Sequence, residues 1–135
     1  MKYLVDANVL SEPTRPTPDQ RVVAWLRRHE REMVVDPIIL GEVRFGILRL
    51  QKGRKRARLE QWFDAGVRRL NCLAWEHETG LRWAELLAKL RAVGRAMPIK
   101  DSLIAATALV HDLTVVTRDR ADFDKAEVRV MNPFD

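Results

Sequence analysis

Four carboxylates stand where a folded chain could bring them together: Asp6, Glu42, Asp101 and Asp119. Asp6 follows the apolar run Tyr3-Leu4-Val5, and Asp119 follows Val115-Val116-Thr117-Arg118. Asp101 opens a nearly unbroken apolar stretch, and Glu42 lies one position before Val43 on the edge of an apolar helix face. If they converge, two carboxylates ~4 Å apart repel by ~4 kcal/mol at an effective dielectric constant of ~20. Such a set requires raised pKa values or bound cations.

No His or Cys lies among these four acids, and an all-oxygen site suits Mg²⁺ or Mn²⁺ rather than zinc. Such ions bind phosphates, activate water and stabilise a leaving oxygen, which favours phosphodiester hydrolysis. Thr117 and Asn8 are secondary candidates, because each is polar and close to a proposed ligand. They could hydrogen-bond a carboxylate or a metal-bound water.

Each of these residues also has an ordinary structural interpretation. An Asp after a strand is often a turn or cap residue, and Asp101 before an apolar helix is a good N-cap. Glu42 could be a solvated helix residue, Thr117 a strand-end hydroxyl and Asn8 a turn residue. The combination, rather than any single residue, favours a site. Asp122, three residues past Asp119, could simply anchor its loop.

Strands and helices alternate between these residues. Strands are expected at 2–6, 33–35, 69–73, 113–117 and 128–131, and helices at 20–31, 36–51, 55–65, 79–93 and 101–111. This alternation favours one α/β domain over residues 1–135, with a parallel sheet covered by helices on both faces. Ligand sites in such sheets lie beyond the carboxyl ends of the strands, where Asp6 and Asp119 are expected.

The composition further restricts the class of protein and the compartment in which we expect it. Cys72 is the single cysteine, so no internal disulfide forms, and its apolar neighbours predict a small buried side chain. The N-terminal apolar run is too short for a signal sequence, and no stretch reaches the ~18–20 apolar residues that span a bilayer. We therefore expect a cytoplasmic protein without a membrane association.

The net charge is +5, and 24 basic residues face 15 acidic ones once the four candidates are set apart from the 19. The densest basic run comprises Arg49, Lys52, Arg54, Lys55, Arg56 and Arg58. This run could hold an RNA backbone through phosphate contacts, or it could be a solvated turn between helices. A second cluster comprises Arg27, Arg28 and Arg31.

This chain lacks the residues that other classes of α/β protein require. A phosphotransferase of the haloacid dehalogenase type needs a second Asp two residues after Asp6, where Asn8 stands. A receiver domain needs an Asp at the end of the third strand, and a dinucleotide-binding domain needs a glycine-rich turn after the first. The three histidines are scattered and have no nucleophile partner, which excludes a His-based triad.

Four segments resemble the acidic motifs of one family. They are Leu4-Val5-Asp6-Ala7-Asn8-Val9-Leu10-Ser11-Glu12-Pro13, Gly41-Glu42-Val43-Arg44-Phe45-Gly46, Asp101-Ser102-Leu103-Ile104-Ala105-Ala106-Thr107-Ala108 and Val116-Thr117-Arg118-Asp119-Arg120-Ala121-Asp122-Phe123. In order and spacing the whole chain resembles a PIN-domain protein, specifically a VapC-type toxin of bacterial toxin–antitoxin pairs, close to the FitB-like branch. Ala7 departs from the Thr that the family often has there, and Asp119 from an Asn of some relatives.

The resemblance implies a five-stranded parallel sheet in the order 3-2-1-4-5. It implies Mg²⁺, with Mn²⁺ as a substitute, held by Asp6, Glu42, Asp101 and Asp119, and hydrolysis of RNA. It also implies a homodimer and a VapB-type antitoxin that blocks the site and carries any contact with operator DNA. An alternative stays open: a binding module within a repressor complex, with little nuclease activity. A divalent ion or a cationic side chain between Asp6 and Asp101 would be the most telling observation.

Overall fold

The computed structural model describes all residues from 1 to 135 and contains one five-stranded parallel sheet. Its strands are β1 Tyr3–Val5, β2 Met33–Val35, β3 Asn71–Cys72, β4 Thr114–Val116 and β5 Val130–Met131. They lie side by side in the order β3-β2-β1-β4-β5, with every neighbouring pair parallel. The predicted α/β class and strand order are confirmed.

Seven helices connect the strands. They are α1 Ala7–Leu10, α2 Gln20–Arg28, α3 Pro37–Leu48, α4 Arg54–Ala65, α5 His77–Ala92, α6 Ile99–His111 and α7 Arg120–Asp124. Short 3₁₀ turns at Glu12–Thr14, Glu30–Glu32 and Val67–Arg69 complete the connections. None of the helices is both long and apolar enough to cross a membrane.

The central strands β1, β2 and β4 form the middle of the hydrophobic core, as their continuous apolar sequences require. Leu4, Val34 and Val115 are completely or almost completely shielded from solvent. Helix α6 is buried along most of its length, including Ile104 and Ala105, as a helix with a nearly unbroken apolar sequence should be. The strand ends that face the candidate site therefore continue from the buried, closely packed core.

Two short helices differ from the sequence expectation. Helices α1 and α7 occupy segments expected as loops, and with four and five residues they are too short to show a periodic pattern. The expectation of a buried Cys72 is wrong, because this residue is exposed. Strand β3 is an edge strand of only two residues, so Cys72 has a neighbouring strand on one side only.

Candidate active site

Asp6 lies at the carboxyl end of β1, beside the end of β4. Val5 pairs with Val116 in the sheet, and the Asp6 backbone N–H continues the ladder to the Val116 carbonyl at 2.9 Å. The Asp6 side chain then caps α1 by accepting the Ala7 backbone N–H at 2.8 Å. Only 3% of Asp6 is exposed, so a charged group is held inside the protein at the strand end.

Thr117 is the main partner of this carboxylate. Its hydroxyl donates to Asp6 Oδ2 at 2.7 Å and accepts the Asp119 backbone N–H at 3.0 Å. Burial raises the pKa of Asp6 to about 6, with Glu42 and Asp101 adding to the rise and the hydrogen bonds from Thr117 and Ala7 opposing it. The carboxyl is therefore poised to exchange its proton near neutral pH.

Asn8 connects the turn after β1 to the turn after β4. Its amide nitrogen lies 3.5 Å from Asp6 Oδ2 and donates to Asp119 Oδ2 at 3.2 Å. Its amide oxygen accepts the Arg118 backbone N–H at 3.2 Å. The structure thus brings Asn8, Thr117, Asp6 and Asp119 into one hydrogen-bonded group, with Asp119 on its exposed side.

Asp101 comes to this edge from α6. The alternative interpretation of Asp101 as an N-cap does not hold, because Pro98 is the N-cap and Asp101 is the third residue of the helix. It is 6% exposed, and burial raises its pKa to about 6. The charge of Lys100 opposes that rise, while those of Asp122, Asp119 and Glu42 add to it. Asp101 therefore lies within the electric field of the other acids.

Glu42 projects from α3 toward the beginning of α6, where its Oε2 accepts a hydrogen bond from Lys100 Nζ. Its other oxygen, Oε1, is buried and has no hydrogen-bond partner. The interpretation of Glu42 as a simple solvated helix residue does not hold. Lys100 is a site residue that sequence reasoning missed, since a lysine is by default a surface residue. Its position directly before Asp101 was the available signal.

Asp36 is a second residue that sequence reasoning did not single out. It directly follows β2, is completely buried, and caps α3 by accepting the Ile39 backbone N–H at 2.9 Å. Its Oδ2 accepts the Thr107 hydroxyl of α6 at 2.7 Å, and burial raises its pKa. Asp36 therefore joins the helix that carries Glu42 to the helix that carries Asp101.

The carboxylate oxygens at this edge suit a hard cation. In this structure, however, most of these side chains contact protein partners. No three acidic, His or Cys side chains are arranged to hold one ion together. Asp6 faces Thr117, Asp119 faces Asn8, and Glu42 faces Lys100. Two observations nevertheless match a cation. One is the unpaired buried Oε1 of Glu42, and the other is the raised pKa values of Asp6 and Asp101, caused first by burial and increased by neighbouring carboxylates.

A groove leads away from the acidic edge between α1, α3 and α4. A cavity of about 350 Å³ there includes Asn8, Glu42, Arg49 and Trp62 in its lining. A neighbouring cavity of about 540 Å³ shares Trp62 and is bordered by Arg15, Lys55 and Arg58. We call these two cavities the basic groove. Arg56 of the predicted basic run instead pairs with Glu60 at 2.7 Å.

The chain matches the PIN domain family over residues 3–128, and it belongs to that family. It is 36% identical over 135 residues to toxin FitB of Neisseria gonorrhoeae, covering 97% of each chain. It is 30% identical over 138 residues to VapC ribonuclease Y4jK of Sinorhizobium fredii, covering 98% of this chain and 97% of that protein. The likeness to VapC-type proteins indicated by the four motifs is confirmed.

Solved structures show the same fold. The crystal structure of FitAcB from Neisseria gonorrhoeae superposes with a TM-score of 0.91 at 34% identity, over 98% of both chains. The structure of FitAB bound to an IR36 DNA fragment gives a TM-score of 0.87 at 34% identity, over 98% of this chain and 96% of that one. Within the PIN family, the chain is therefore of the VapC/FitB type.

Proposed function

We propose that this protein is the toxin of a type II toxin–antitoxin pair and acts as a Mg²⁺-dependent endoribonuclease. The observation that carries this proposal is the pair Asp6 and Asp101. Both are buried at the carboxyl edge of the sheet, and both have pKa values raised to about 6. Such a pair gains from a bound cation, because burial and like charge both disfavour its ionised state.

Asp6, Asp101 and Glu42 would hold the Mg²⁺ ion, or Mn²⁺ in its place, with Asp119 as a fourth acid on the exposed side. A divalent ion bound there would attract a substrate phosphate and lower the pKa of a water molecule. Thr117 fixes the orientation of Asp6, and Asn8 fixes that of Asp119. These two residues act by positioning the carboxylates.

The basic groove would hold the RNA strand on the way to the acids. It begins at Glu42 and Asn8 and continues to a border of Arg15, Lys55 and Arg58. Cations along a groove bind phosphates independently of sequence, and they offset the repulsion between RNA and the acidic edge. In this proposal, the basic groove binds the RNA and the acidic edge cleaves it.

The test is cleavage of RNA by the purified protein, free of any antitoxin, with Mg²⁺ and with EDTA. We expect cleavage only with Mg²⁺. Asp6→Asn and Asp101→Asn should each lower the rate by about 10²-fold, as expected for the loss of a metal ligand or its close support. Asp124→Asn, a change in an exposed acid of α7, is the matched control and should leave cleavage unchanged. If neither variant lowers the rate, our assignment of the site is wrong.

We further propose a VapB-type antitoxin as the tight protein partner, a homodimer as the assembled form and the cytoplasm as the location. The names of the relatives support the partner, since one is a toxin and another a VapC ribonuclease. Any contact with operator DNA would be made through the antitoxin. Copurification of the chain with an antitoxin and measurement of the mass of the complex would test this assembly.

A second candidate function is a repressor module with little nuclease activity. It is favoured by one observation, that the related FitAB complex is bound to a DNA fragment. The two functions are separable with Asp101→Asn. If repression is the main activity, the variant should bind operator DNA with its antitoxin as wild type does, and wild type free of antitoxin should not cleave RNA.

A further inference from the structure

A cation of the chain already occupies part of the acidic edge. Of the four acids Asp6, Glu42, Asp101 and Asp119, only Glu42 forms an ion pair, and its partner is Lys100. The pair joins α3 to the beginning of α6, directly before Asp101. The contact with Glu42 and the position next to Asp101 in the sequence together place Lys100 at the acidic edge.

Glu42 cannot serve Lys100 and a divalent cation with the same oxygen. Oε2 accepts the Lys100 ammonium, while Oε1 is buried and accepts nothing. A carboxylate with one bound and one empty oxygen is a half-satisfied acceptor, and full satisfaction requires a further donor or a cation. The Lys100 side chain is 50% exposed, so its flexible four-carbon stem can turn to solvent without opening the core.

We infer that Lys100 is an internal counter-ion that holds Glu42 when no divalent cation is bound and competes with that cation for Glu42. The inference rests on the proposed metal site. In the metal-free protein Lys100 offsets part of the repulsion among the acids. An ion at the free Oε1 would lie beside the ammonium on Oε2, and the two positive charges would repel one another. The two cations therefore weaken one another's hold on the site, and the coupling is reciprocal.

The experiment is a calorimetric titration of the full chain, free of antitoxin and RNA, with MnCl₂. Wild type is compared with Lys100→Met and Lys100→Gln, so that one poorly folded variant does not decide the outcome. Lys89→Met is the matched control, because Lys89 forms a similar exposed pair with Glu127 at 2.9 Å and lies away from the acidic edge. We expect the Lys100 variants to bind Mn²⁺ about fivefold more tightly or better, and the control to bind as wild type.

A cycle with Glu42→Gln isolates the competition. In that background Lys100→Met should tighten Mn²⁺ binding much less, because the carboxylate for which the two cations compete is gone and only the charge of Lys100 near Asp101 is removed. Equal or weaker Mn²⁺ binding by the Lys100 variants, with wild type still binding, would overturn the inference and leave the metal site intact. If wild type and the Lys100 variants all fail to bind Mn²⁺, the proposed metal site itself fails.

Discussion

Thr117 donates its hydroxyl hydrogen to Asp6 Oδ2 at 2.7 Å across a separation of 111 residues in the sequence. The contact exists because β1 and β4 are adjacent parallel strands whose carboxyl ends meet at one edge. The same hydroxyl accepts the backbone N–H of Asp119 at 3.0 Å. One side chain thus fixes the position of a buried acid and of the turn that carries an exposed one.

Thr117→Val should lower RNA cleavage by about 10- to 100-fold, the usual effect of removing a residue that supports a metal ligand. The hydrogen bond from Thr117 opposes the rise of the Asp6 pKa, so its loss should move that pKa above about 6. The acid limb of the pH–rate profile should therefore shift to higher pH. Thr117→Ser retains the hydroxyl and should retain the wild-type profile. A profile that does not move in the valine variant would show that Thr117 does not control Asp6.

Asp101→Asn should stabilise the metal-free protein at neutral pH while it lowers the rate of cleavage by about 10²-fold. The pKa of Asp101 is about 6 in the folded protein against a reference value of 3.8. The folded state thus holds a proton that the unfolded state releases between about pH 4 and 6, and stability falls as pH rises through this window. In EDTA at pH 7.5 the variant should melt about 3 °C higher, equivalent to roughly 1 kcal/mol for a domain of this size.

The melting advantage of Asp101→Asn should disappear at about pH 4, where wild-type Asp101 is largely protonated in the folded protein. Addition of Mg²⁺ should raise the melting temperature of wild type and have a much smaller effect on the variant, because a ligand stabilises the state that binds it. Melting curves by circular dichroism at three pH values measure both effects. A variant less stable than wild type at pH 7.5 in EDTA would contradict the argument that burial disfavours the ionised Asp101 carboxylate.

The sequence predicted the parts of the site that depend on strand ends, and the family motifs supported Glu42 and Asp101 on the helices. It missed Lys100 and Asp36, whose contacts join distant helices. Asp6 and Thr117 follow apolar strands, so their position was readable from local pattern. Lys100 gains its role only through Glu42, 58 residues away on another helix. The exposure of Cys72 depends on which strand lies at the sheet edge. The strand order came from the family resemblance, since the alternation of strands and helices does not determine it.

Thr107→Val should destabilise the fold by about 2 kcal/mol, because it removes a hydrogen bond of 2.7 Å to the buried carboxylate of Asp36. Asp36 also caps α3, so the substitution loosens the connection between the helices that carry Glu42 and Asp101. Urea unfolding followed by tryptophan fluorescence measures the change. Thr114→Val, at a threonine whose hydroxyl bonds only to exposed Arg129, is the control and should stay within about 0.5 kcal/mol. Equal effects of both variants would assign no special role to Asp36.

The basic groove yields the last prediction, which differs from the one that the sequence alone supports. Arg54, Lys55 and Arg56 form the centre of the basic run, yet Arg56 is engaged with Glu60. Lys55 and Arg58 border the groove and have no ion pair. Lys55→Gln with Arg58→Gln should weaken binding of a cleavage-inactive Asp101→Asn protein to RNA of any sequence. The slope of log K against log salt should flatten by about 0.7 for each phosphate that the variant no longer neutralises.

Lys89→Gln with Arg91→Gln, on the surface of α5, is the matched charge control and should leave the slope unchanged. The slopes are measured by fluorescence anisotropy. Equal slopes for the groove variant and wild type would show that Lys55 and Arg58 are solvated surface residues that do not contact RNA phosphates.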